Sequence, residues 1–193
     1  MGTAVVGTEV DTRITYEELR QFPDDGRRYE LIHGEVHVAP SPNTKHQLSL
    51  LHPTASLDRY LSNNRLGMIF FAPMDVRLAA DSAVQPDLIF ISSARTGIIL
   101  ENYIDGAPDL VVEILSPSSA TYDRASKLAL YSEMGVPWVW LLDPQVKTVE
   151  MLKLEGTKYL VDSILAGPQV LTSGLFPGWQ LPLDELFDFR TRF

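Results

Sequence analysis

Two short apolar runs, each opened by a Pro-Asp pair, sit in the middle of this sequence: Pro86-Asp87-Leu88-Ile89-Phe90-Ile91 and Pro108-Asp109-Leu110-Val111-Val112-Glu113-Ile114-Leu115. Unbroken apolar runs of this length, rich in Val and Ile, are the signature of strands buried on both faces. Proline cannot donate to a ladder, so each Pro marks a strand entry and not a strand interior. A third such run, Val136 to Leu142, ends at Asp143-Pro144. Between the second and third, a helix is expected from about Ala120 to Met134, opened by the cap-rich Ser116-Pro117-Ser118-Ser119 turn and stopped by Gly135. Strand, helix, strand requires a right-handed crossover and a parallel pair. A sheet buried on both faces must be covered on both. The expected fold is α/β, a central mixed sheet flanked by helices.

The remaining segments fill in that frame. Thr15-Tyr16-Glu17-Glu18 reads as a capping box opening a short helix to about Phe22. Arg28 to Val38 reads as a hairpin turning at His33-Gly34. Asn43 can cap a helix to about Asn63, which Pro53 should kink or split. Met68 to Leu78 carries two short strands around Pro73. Thr148 to Leu154 and Lys158 to Ser163 read as an outer antiparallel pair, and Leu183 to Phe187 as one helical turn. Residues 1–13 read as a flexible leader and 14–193 as a single domain, which 193 residues accommodate.

Composition narrows the function classes. Sixteen Lys and Arg against 25 Asp and Glu give a formal charge of −9. A field of that sign repels nucleic acid and anionic membranes at long range, so contact with either needs a local cationic groove or a metal. The absence of cysteine excludes disulfides, a thiolate nucleophile and Cys-ligated zinc. It suits a cytoplasmic protein. No membrane span is expected, because the longest uncharged stretch, Ser163 to Leu183, is interrupted by six Gly and Pro residues.

Phosphate-binding glycine loops, a GxSxG elbow and an HExxH pair are all missing. His33 and His37 flank the hairpin turn and could meet as a metal pair, but nothing nearby in sequence completes one, and ordinary turn and strand positions are the favoured reading of both. The carboxylates say more. Glu113 lies inside a buried strand, which is costly unless it is paired or binds a cation. If the strand beginning at Asp87 is its neighbour, the two acids could converge on one divalent ion, with Mg²⁺ the oxygen-seeking candidate. Asp109 competes for that role, but four residues of strand span about 13 Å, too far to share an ion with Glu113. It reads better as a structural acid at the strand entry. Asp123, Lys127 and Tyr131 fall at i, i+4 and i+8 on the next helix. Lys127 is either a surface partner of Asp123 or the cation that phosphodiester cleavage needs.

Several stretches together resemble a known family: Tyr29-Glu30-Leu31-Ile32-His33-Gly34-Glu35, His46, Pro86-Asp87-Leu88 and Pro108 through Ser118. Asp123, Lys127, Tyr131, Gly135-Val136-Pro137, Trp140 and Asp143-Pro144 complete the set. Over about residues 15–187 the chain is similar to the small bacterial restriction-endonuclease family within the PD-(D/E)xK nuclease superfamily. The resemblance implies a restriction-endonuclease-like core and Mg²⁺-dependent DNA cleavage, with Mn²⁺ as a possible substitute. It implies that Asp87 and Glu113 hold the metal. The superfamily's usual Lys falls at Leu115, and the family draws its Lys from the following helix, here Lys127. Glu30 matches a catalytic-site position; His46, Asp123 and Tyr131 match accessory ones.

Two functions follow as expectations: a metal-dependent endodeoxyribonuclease, or a non-catalytic DNA- or protein-binding regulator that retains the nuclease fold. Tight Mg²⁺ or Mn²⁺ binding that depends on Asp87 and Glu113 separates them. A homodimer is expected of an enzyme that cuts both strands, with Ser163 to Leu183 either supplying contact or simply covering the sheet.

Overall fold

The structure is a computed structural model that describes residues 13–116 and 123–189, the side chains of residues 123 and 124 aside. Most of the expected leader, the expected Ser116–Ser119 turn apart from Ser116, the first residues of the helix expected from Ala120, and the side chain of Asp123 lie outside the described residues.

The elements run in the order α1 (Tyr16–Leu19), β1 (Arg28–Ile32), β2 (Glu35–Ala39), α2 (Thr44–Asn64), β3 (Gly67–Phe71), β4 (Val76–Ala79), β5 (Ser82–Val84) and β6 (Leu88–Ser92). After a 3₁₀ segment, Ser93–Ile98, come β7 (Ile104–Asp105) and β8 (Leu110–Ile114). A π-helical turn, Asp123–Lys127, leads into α3 (Leu128–Glu133). Next come β9 (Trp138–Asp143), β10 (Thr148–Glu155), β11 (Lys158–Ala166), β12 (Val170–Leu171), β13 (Leu181–Pro182) and α4 (Leu183–Leu186).

The main sheet has six strands in the order β11-β10-β9-β8-β6-β3. It is mixed: β8 and β9 pair in parallel, as the strand–helix–strand reading requires, and β6 lies antiparallel to β8. Alternation along the strands splits the core in two. On one face Leu88, Phe90, Leu110, Val112, Ile114 and Trp140 pack under α2 and the C-terminal segment. On the other, Ile89, Ile91, Val111, Val139 and Leu141 meet Leu130 and Tyr131 of α3.

That second face is also covered by a sheet the sequence reading did not separate. Its order is β2-β1-β5-β4-β7, and Ile32, Val76, Val84 and Ile104 carry it into the same core. The two strands around Pro73 therefore belong to different sheets. The expected split of α2 at Pro53 does not occur: the helix runs through it, capped by the Asn43 side chain on the His46 N–H. The Thr54 hydroxyl donates to the Leu50 carbonyl one turn back. The Ser163 to Leu183 stretch mostly covers the sheet, with Leu171, Phe176, Trp179 and Leu181 buried. Trp140 stacks on Trp179 inside this core.

Candidate active site

The register of β6 against β8 places Leu88 opposite Val112 and Ile89 opposite Val111. One step further along that ladder, Asp87 lies across from Glu113. Both side chains belong to the face shared with Ile89 and Val111, and both are buried.

Glu30 comes from the second sheet. The β1–β2 hairpin turns through His33 and Gly34, both at positive φ. This is the arrangement favoured in two-residue hairpin loops because its twist matches the strands. That turn pairs Glu30 with His37 and directs Glu30 inward, where it is 1% exposed. His33 instead turns to Glu133, at 3.4 Å. His37 lines the cleft described below.

Lys127 links the two sheets. Its Nζ lies 2.9 Å from Glu30 Oε1 and 3.2 Å and 3.4 Å from the two Glu113 oxygens. Of the two alternatives left for it, the surface one falls away: its ammonium turns toward Glu113 and is buried. One turn on, the Tyr131 hydroxyl donates to Glu113 Oε1 at 2.5 Å. The Lys sits at the end of a π-helical turn, a rare geometry that recurs at functional sites. A cation at this depth is tolerable because two carboxylates surround it; removing either partner would strand a buried charge.

Asp87 is held differently. Its Oδ2 accepts the Ile114 N–H at 2.8 Å and faces His46 Nε2 at 3.2 Å. Burial pushes the Asp87 carboxyl up, but the hydrogen bond and charge of His46, the Ile114 N–H and Lys127 together hold it below the usual carboxylate range. Asp109 takes the structural role assigned to it, accepting from the Ser92 N–H and from Arg95.

Glu30, Asp87, Glu113, Lys127 and His46 share the wall of one cleft of about 220 Å³, which Pro40 to Asn43 also line. Sequence reasoning missed Arg28, which lines that cleft, and Gln85, which stands behind it. Gln85 donates its N–H to Glu30 Oε1 and its side-chain amide to Asp75. Arg28 donates to Gln85. The one available signal was position, Gln85 being two residues before Asp87.

Among the described residues no group of three or more His, Asp or Glu side chains gathers as a metal-ligating cluster. The donors still suit a hard cation of the Mg²⁺ type, which binds through one or two carboxylates and otherwise keeps water or substrate oxygens. The contacts that hold Asp87 fall on Oδ2, and Glu113 Oε2 holds the longer of the two Lys127 contacts.

A mixed sheet presenting an Asp and a Glu from adjacent strands, flanked by helices, is a restriction-endonuclease-like core. The chain belongs to the Uma2 family, described as putative restriction endonuclease, whose model matches residues 16–184. Among solved structures it is similar to one from Anabaena variabilis described as a putative nuclease belonging to DUF820. The TM-score is 0.75 at 20% identity, covering 90% of this chain and 97% of that one. At that identity the likeness speaks for the fold. No curated protein matches the chain.

Proposed function

We propose that this protein is a Mg²⁺-dependent endodeoxyribonuclease, with Mn²⁺ able to substitute, and that the cleft is its active site. The observation that carries the reading is Lys127 held between Glu30 and Glu113 beside Asp87, with all four side chains buried at one cleft. A structural ion pair has no need of a second buried acid on the next strand, or of an opening to solvent. Asp87 and Glu113 would hold the metal, which when bound supplies Lewis-acid activation of water and of the scissile phosphate.

The chain's own groups divide the remaining work. Lys127 presents its ammonium where negative charge grows on the phosphate, a stabilisation made in advance and strong in a dry site. Glu30 and Tyr131 fix the positions of Lys127 and Glu113. His46 and the Ile114 N–H fix Asp87, keeping it ionised and in one orientation. A homodimer, so that two clefts address two strands, and a cytoplasmic location belong to the same proposal.

A plasmid-nicking assay tests the reading. Nicking is expected with Mg²⁺ or Mn²⁺ and is expected to vanish with EDTA or in Asp87→Ala. A protein that binds Mg²⁺ through Asp87 and Glu113 yet leaves plasmid intact, or Asp87→Ala that nicks as the parent does, would remove the activity.

A further inference from the structure

Arg28 stands on β1 two residues before Glu30, and residues two apart on a strand share a face. It lines the same cleft. Its guanidinium is fixed by two hydrogen bonds to one residue, Nε to Gln85 Oε1 at 3.1 Å and Nη2 to the Gln85 carbonyl at 2.8 Å. Gln85 is itself anchored, its amide donating to Asp75 and its N–H to Glu30. The arginine is therefore oriented before any ligand arrives.

Its partners are all neutral. Arg20, Arg27, Arg77 and Arg95 each sit against a carboxylate. Arg59 and Arg65 have none, but both are exposed on or just after α2. Arg28 is half-buried, and among the described residues it makes no ion pair and nothing accepts from Nη1. A guanidinium held in place by neutral acceptors at the wall of a cleft, with Nη1 left over, is built for an anion that comes and goes. The planar fork matches phosphate oxygens in a bidentate way. The need is plain in the charge of the cleft, where Glu30, Asp87 and Glu113 outnumber Lys127 and would repel a phosphodiester.

We infer that Arg28 forms a phosphate subsite on the hairpin wall of the cleft and grips the backbone of the bound nucleic acid. The inference rests on the nuclease reading for naming that backbone as DNA. It goes beyond that reading, because it assigns binding to a residue outside the metal and lysine set.

The test separates the two. Binding of a short DNA duplex is measured against NaCl concentration in Ca²⁺ without Mg²⁺, for the parent, Arg28→Gln and Arg28→Lys, with circular dichroism as a check on folding. Arg28→Gln is expected to weaken binding by about tenfold and to lower the salt slope by about one ion. Arg28→Lys should keep the parent slope but bind more weakly, since an ammonium cannot reproduce the fork. Should Arg28→Gln fail to fold, the lysine variant decides: weaker binding at parent slope supports the subsite, and parent affinity overturns it. Parent-like affinity and slope in a folded Arg28→Gln overturn it even if the parent nicks DNA, and so does a parent that binds no DNA. An Arg28-dependent affinity in a protein that never nicks would sustain the subsite while ending the nuclease reading.

Discussion

Lys127 is the residue on which chemistry and stability meet. It faces Glu30 and Glu113 at a depth where an unpartnered carboxylate is poorly tolerated. Lys127→Ala should therefore have two effects. Nicking should fall at least a hundredfold, a loss in kcat and not in DNA affinity, as expected of a charge used in the transition state. The fold should lose about 3–5 kcal/mol, because two buried acids are left without their cation. Mg²⁺ should then raise the melting temperature of the variant more than that of the parent, because acids that have lost their lysine hold the cation more tightly and a ligand of the native state stabilises it more the tighter it binds. A variant that cuts normally would return Lys127 to a structural role. At this scale the acids were legible in sequence because a charged residue inside an apolar strand is conspicuous. Lys127 was ambiguous because i, i+4 spacing fits a surface pair equally well. Arg28 was silent and Gln85 offered only its position before Asp87, their meaning being a hydrogen-bond chain between separate strands.

Elements were readable where local chemistry decides them and unreadable where pairing does. The Thr15–Glu18 capping box, the Asn43 cap, the His33-Gly34 turn and the parallel β8–β9 pair all stand as expected. The very short β5 and β7 carry no periodicity of their own, and only tertiary pairing defines the second sheet that carries Glu30. Gly67, which opens β3, illustrates the same dependence. A Cβ there would run into the Ile91 carbonyl and the Phe90 ring on β6. Gly67→Ala should cost about 1–3 kcal/mol from overpacking and loosen the edge next to the strand of Asp87, read as a lower melting temperature.

A second prediction at this scale concerns alkaline pH. Burial, with the charge and hydrogen bond of Asp75, pushes the Tyr16 phenol well up, and burial alone does the same for Tyr159, whose hydroxyl donates to the Val136 carbonyl. The unfolded chain releases these protons near pH 10 while the folded one keeps them. Both groups thus contribute stability that is full below about pH 10 and is lost as pH climbs toward their folded values. Urea melts between pH 8 and 11 should show that decline, and Tyr159→Phe should make it shallower. An unchanged slope would remove Tyr159 from the account.

At the scale of the whole molecule, the six-stranded sheet presents an edge strand, β11, with Leu160, Val161 and Ile164 more than half exposed. The proposed homodimer is checked by sedimentation at micromolar concentration, where about twice the monomer mass of 21.6 kDa is expected. A mass that stays monomeric would mean that each molecule addresses one strand at a time. The sequence could specify a mixed sheet covered on both faces, because buried strands and the crossover are local patterns. It could not show that the cover on one face is a second sheet, so the site could be listed by residue but not drawn.

The bond between Glu30 and Lys127 has a further consequence, for synthesis. The two residues lie about half the chain's length apart, and the strand carrying Glu113 is secured on its far side by β9, which ends at Asp143. Chains emerge from the ribosome N-terminus first and fold as units. A nascent chain that already displays Glu30, His46 and Asp87 therefore still lacks the cation and the partner acid that complete the cleft. The acids come to rest around Lys127 only after roughly three-quarters of the polypeptide exists, so a stalled or truncated product carries an unassembled site.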